Sequence, residues 1–286
     1  MSAKNRVLLS AFALLACLSC APAFAKEGAS IQIKGSDTMV NLVQAWAETY
    51  MGKNPDVFIA VTGGGSGTGF AALINGTCDL AAASREIKPA EVAAAGKKGI
   101  QPKEFKVALD GLAVAVHPSN AVSTLTLDQL AGIFSGKITN WKDVGGKDLK
   151  IVVLSREVNS GTHVYFKEHV LRHGDAASKE EFSPEALMMP SSQAIVDEIS
   201  QNPAAVGYFG MGYLSGSMKT IAVASSAGEP VTPSLDSVVS GRYPISRPLY
   251  IYSKGEPADA VKGFMDFVLS KEGQDVVSQN DFVPAS

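Results

Sequence analysis

Apolar residues along the chain follow two alternating rhythms, short continuous runs and longer stretches at helical spacing. Ile31 and Ile33 mark a first extended run, after which Met39, Leu42, Val43, Trp46, Ala47 and Tyr50 recur on one helical face. Residues 57–61 read as a second strand, residues 70–74 as a helix stopped by Asn75-Gly76, and residues 79–83 as a third strand. Residues 107–116 form a long extended run interrupted at Asp110-Gly111. Thr126-Leu127-Asp128-Gln129 has capping-box form, with Leu130, Ala131 and Phe134 completing a buried helical face. Residues 151–154 are a buried strand, and Val164, Phe166 and Val170 open a helix that ends in the cationic turn Arg172-His173-Gly174. Ser191-Ser192 caps a helix through Ile195 and Ile199, residues 205–209 and 249–252 are extended, and Val261, Phe264, Met265, Val268 and Leu269 share the face of a last helix. Strand, turn and helix in repetition predict an α/β fold. Residues 224–233, small and polar, fit either a passage between two lobes or a surface loop.

The first 25 residues stand apart. Lys4 and Arg6 precede an apolar run too short to span a bilayer, and Ala23-Phe24-Ala25 offers a cleavage site, so a secretory signal peptide cut after Ala25 is expected. Leu14-Leu15-Ala16-Cys17 also resembles a lipoprotein box that would tether the protein through Cys17. Either way the mature domain is expected outside the cytoplasm, periplasmic or secreted. Loss of Lys4 and Arg6 takes the formal net charge from −3 to −5, which argues against nucleic acid as a partner. Cys17 and Cys20 belong to the leader, leaving Cys78 as a lone, buried thiol with no disulfide to make.

Candidate chemistry lies in three loops, each following a strand, rich in Gly, Ser and Thr, and leading into a helix. They are Gly35-Ser36-Asp37-Thr38, residues 63–68 (Gly-Gly-Gly-Ser66-Gly-Thr), and residues 156–162 with Arg156, Ser160, Gly161 and Thr162. Backbone N–H groups at a helix N-terminus, with hydroxyls beside them, suit an oxyanion. Three such loops aimed at one point could enclose it, with Arg156 neutralising charge. Taken alone, the glycine loop reads equally as a flexible link. Enzyme motifs fail: Thr68 spoils a nucleophile elbow, no P-loop Lys-Ser/Thr pair is present, and His169 with His173 fits a helix end better than a metal site. No catalytic residue, metal or cofactor is expected.

These loops, together with Asp79-Leu-Ala-Ala-Ala-Ser84-Arg85, Leu109-Asp110-Gly111, Ile133-Phe134-Ser-Gly-Lys-Ile-Thr-Asn-Trp141 and Ser246-Arg-Pro-Leu-Tyr-Ile-Tyr252, resemble the phosphate-binding proteins of bacterial phosphate ABC importers over nearly the whole mature chain. The resemblance implies a two-lobed type II periplasmic-binding fold with a ligand cleft between lobes. Residues 26–112 plus 228–286 would form one lobe and 113–227 the other. It further implies phosphate as ligand, a membrane ABC permease as partner and a monomer. Thr38 would donate through hydroxyl and backbone, joined by the Met39 N–H, by Ser36 and Ser66, and from the other lobe by Arg156, Ser160, Gly161 and Thr162. Some family members carry a carboxylate where Ser84 stands, accepting the phosphate proton and so rejecting sulfate. Asp110, or failing it Asp37, is expected to supply that acceptor, unless Asp110 instead forms an ion pair that orients Arg156. Arg85 would either reach the ligand or brace its loop. The substitution at Ser84 keeps other oxyanions such as sulfate or molybdate open as ligands. A phosphate sensor or a phosphohydrolase stands further off.

Overall fold

The computed structural model describes residues 28–225 and 228–285; the leader, with its cleavage site and Cys17, lies outside them. The first half alternates strand and helix: β1 (Ala29–Gly35), α1 (Val40–Lys53), β2 (Val57–Thr62), α2 (Ser66–Asn75), β3 (Leu80–Ala83), α3 (Pro89–Gly96) and the long β4 (Lys103–Val116). Next come β5 (Thr124–Thr126), α4 (Leu127–Phe134), β6 (Val152–Arg156), α5 (Gly161–Phe166), β7 (Leu187–Met189), α6 (Ser192–Gln201), β8 (Ala205–Gly210), β9 (Lys219–Thr220) and β10 (Ala222–Ala224). The chain closes with α7 (Leu235–Val239), β11 (Ser246–Ser253), α8 (Asp259–Leu269), α9 (Lys271–Gln279) and β12 (Val283–Pro284).

Local chemistry explains the element ends. Thr126 and Gln129 form both halves of the capping box, Gly76 ends α2 in the left-handed conformation, and Ser191 caps α6 through Ala194 N. Helix α5 runs on as a π-helical segment, Lys167–Leu171, before His173 and Gly174 turn the chain with positive φ. That π-helical continuation was not foreseen from the spacing of Val164, Phe166 and Val170.

One sheet runs through the molecule in the order β2-β1-β3-β11-β4-β8-β6-β7. Strands β1, β2 and β3 are parallel at one end, and β6, β7 and β8 at the other. The antiparallel pair β4 and β11 joins the two ends. Val107 and Ala108 of β4 face a core with Ile31, Trp46, Leu80 and Phe264. Beyond Asp110, Leu112, Val114 and Val116 face a second core with Phe134, Trp141 and Tyr208. Strand β4 therefore runs from one core into the other. Far from breaking the strand, Asp110-Gly111 is paired throughout, opposite Arg247 and Ser246 of β11. Val238, Tyr243 and Ile245 pack into the second core.

Candidate binding site

The three small-residue loops meet. Each leaves the C-terminal end of a strand and enters a helix, so their helix N-termini face a common cleft between lobes. The first tightens into a 3-10 turn, Asp37–Met39, ahead of α1; in the second Ser66 is the first residue of α2; in the third Ser160 caps α5. Thr38 and Thr162 share a 2.7 Å hydrogen bond across the cleft. Gly67 N donates to Asn159 O at 3.0 Å, and Asn159 Nδ2 to Gly64 O at 2.9 Å.

Six hydroxyl residues, Ser36, Thr38, Ser66, Ser84, Ser160 and Thr162, are buried here. Ser84 N donates to Ser66 Oγ at 3.0 Å, and the two hydroxyl oxygens lie 3.3 Å apart. Ser160 Oγ accepts from His163 N at 3.4 Å, leaving its proton to donate elsewhere. Ser36 Oγ is buried without a protein partner among the described residues, an arrangement that calls for a ligand or water. Gly161 is required by contact: a Cβ there would sit 2.3 Å from Ser66 Oγ and 2.6 Å from Ser84 Oγ. Gly65, at φ +94°, lies equally close to Asn159 O, 2.7 Å from where its Cβ would be. The Met39 N–H belongs to the first turn. It closes the 3-10 turn onto Ser36 O at 3.1 Å, because the tight turn takes up the donor an open loop would leave free.

Charge enters as two buried arginines. Arg156 donates to Ser192 Oγ (2.9 Å), Pro190 O (3.1 Å) and Met189 O (3.3 Å), and pairs with Asp37 Oδ2 at 3.2 Å. Asp37 Oδ2 also accepts from Ser192 N at 2.7 Å, tying the first loop to α6. The alternative of an ion pair between Asp110 and Arg156 is not what the structure holds. Asp110 is fully buried opposite Arg247, whose Nε and Nη2 donate to Oδ2 at 3.1 and 2.9 Å; Met211 N donates to Oδ1 at 3.0 Å. Strand register decides this, since Asp110 and Arg247 are direct partners across β4 and β11. Burial pushes the Asp110 carboxyl up and the Arg247 guanidinium down, and their mutual attraction opposes both shifts.

Arg247 was missed in the sequence because its importance rests on that non-local pairing. The available signal was a lone cation in the apolar run 245–252 and a lone acid in the run 107–116. Arg85 forms a bidentate pair with Glu91 (2.9 and 2.7 Å) over the Phe70 ring, which braces the loop after Ser84. An open groove of about 450 Å³ lies beside this cluster rather than among the hydroxyls, bounded by Arg85, Lys88, Tyr165, His169, Arg247 and Tyr250. His169 stacks on the Tyr165 ring, and His173 Nε2 lies 3.6 Å from Asp128 Oδ1.

Residues 21–272 match the family model of the PBP superfamily domain. The phosphate-binding protein PstS of Pseudomonas aeruginosa is 37% identical over 268 residues, covering 87% of this chain and 81% of that protein. PstS of Bacillus subtilis is 34% identical over 265 residues, covering 91% and 82%. Among solved structures, a putative phosphate ABC transporter substrate-binding protein with bound phosphate from Clostridium perfringens superposes with a TM-score of 0.80 at 34% identity, over 90% of this chain and 100% of that one. An ABC-type phosphate transport receptor from Vibrio cholerae gives 0.70 at 32% identity, over 90% and 100%. By sequence and by fold, this chain belongs to the PBP superfamily and, within it, to the phosphate-binding proteins of phosphate ABC importers, with their two-lobed type II periplasmic-binding fold.

Proposed function

We propose that this chain captures inorganic phosphate in its interlobe cleft and delivers it to a membrane ABC permease, acting as a monomer outside the cytoplasm after cleavage at Ala25. The observation that carries the reading is the meeting of three helix N-termini, two from one lobe and one from the other, around six buried hydroxyl residues. An oxyanion needs many converging donors, and such a cluster supplies them without requiring a metal.

In this reading Thr38, Ser66, Ser84, Ser160 and Thr162 donate through hydroxyls, the unpartnered Ser36 hydroxyl joins them, and the N–H groups of Gly161 and Thr162 point at the anion from α5. Arg156 supplies charge while Asp37 holds it in place. One lobe comprises residues 26–110 plus 246–286, the other residues 111–245. Arg156→Ala is expected to weaken phosphate binding by about 100-fold or more, and Thr38→Val by about 10-fold, as buried charge-assisted and neutral hydrogen bonds would. Calorimetric titration of the two variants checks this; wild-type affinity in both would displace the site.

Ser84 leaves the proton acceptor open. Asp110 already accepts from Arg247 and Met211 with its two oxygens, whereas Asp37 Oδ1 has no hydrogen-bond partner among the described residues. We therefore assign the phosphate proton to Asp37. Asp37→Asn should narrow the preference for phosphate over sulfate; an unchanged ratio in competition titration would remove Asp37 from that role. Because Ser84 replaces a carboxylate, capture of a fully ionised oxyanion such as sulfate is the second reading.

A further inference from the structure

Arg247 belongs to the hinge, yet its guanidinium touches both lobes. Nε and Nη2 hold Asp110, Nη1 donates to Ser84 O at 3.0 Å, and Nη2 also donates to Thr162 Oγ1 at 3.0 Å, with Thr38 Oγ1 at 3.5 Å. It is 2% exposed. A hydroxyl that accepts from a cation must turn its own proton elsewhere. Thr162 and Thr38 lie 2.7 Å apart and either can donate to the other, so whichever hydroxyl accepts in that bond keeps its own proton free for a ligand. With the lobes divided as proposed above, Arg247 and Thr38 belong to the first and Thr162 to the second, so the contact bridges them.

We infer that Arg247 is a positioning residue for the anion site. Anchored by Asp110 at the hinge, it orients the Thr162 and Thr38 hydroxyls as a relay of donors and latches the closed cleft. This rests on the phosphate reading of the site. A purely structural Arg247 would neutralise Asp110 and hold the Ser84 carbonyl, with no energetic link to Thr162.

A double-mutant cycle separates the two. Phosphate affinity and release rate are measured for the wild type, Arg247→Lys, Thr162→Val and the double variant, with Asp110→Asn and Asp110→Asn/Thr162→Val in parallel to free the guanidinium fork without removing it. Each single change should raise the release rate by about 10-fold, and each double variant should lie within about 3-fold of its worse parent. The Asp110 arm carries the test if Arg247→Lys does not fold. Multiplying losses of about 100-fold, or release unchanged in Arg247→Lys, would overturn the inference while leaving phosphate capture standing. A wild type that does not bind phosphate would overturn both.

Discussion

Single residues in this fold carry two consequences that are independent of ligand. His163 is buried within α5, its Nδ1 3.3 Å from Ser155 Oγ and its ring against Phe182. Burial, reinforced by Lys167, lowers its pKa from 6.5 to about 4. Between those values the unfolded chain binds a proton that the folded protein refuses, so stability falls as pH drops through 6.5 and levels off below about 4. Denaturant titration should show a loss of about 1 kcal/mol between about pH 7.5 and about pH 5.5 that His163→Gln lacks. An equal loss in both proteins would assign the dependence to other groups. Cys78 is the second case. Burial pushes its thiol up to about 11, so iodoacetamide at about pH 8 should label it only once the mature protein unfolds. Rapid labelling of the native protein, read by mass, would contradict the buried environment.

At the level of elements, the site depends on how closely α5 approaches α2 and the end of β3. Gly161→Ala puts a methyl group where Ser66 Oγ and Ser84 Oγ lie. The variant should melt no higher than the wild type, since the added methyl group overpacks a buried contact, while losing phosphate affinity by about 10-fold or more. Melting and calorimetry on the same sample check both halves; full affinity would mean the lobes close less tightly than described. The loops themselves were legible in the sequence because strand-loop-helix grammar is local: Gly, Ser and Thr after a β run and before an amphipathic stretch. So were the Thr126–Gln129 box and the Gly76 stop, which depend on neighbours three or four residues away. Two further features could not be read that way. The Met39 N–H is taken by a turn whose tightness depends on packing, and the pairing of Asp110 with Arg247 joins positions 137 residues apart. The packing of Val238, Tyr243 and Ile245 against the second core is equally non-local, and it supports the proposed lobe crossing at β11.

Across the whole molecule, the antiparallel strands β4 and β11 join the two ends of the sheet, and a buried ion pair links them. Removing one partner, as in Arg247→Met, leaves Asp110 uncompensated and should cost roughly 3–5 kcal/mol of folding stability by denaturant titration. A loss below about 1 kcal/mol would show that the hinge does not depend on the pair. Closure brings Thr38, Gly64 and Gly67 of one lobe onto Asn159 and Thr162 of the other, so a ligand held by both lobes favours the closed form. The measurement that tests the account most directly is calorimetric titration of the mature protein, stripped of bound ion, with phosphate and then with phosphate in excess sulfate. The account predicts tight one-to-one phosphate binding that sulfate does not displace. Weak binding, or displacement by sulfate, would contradict it.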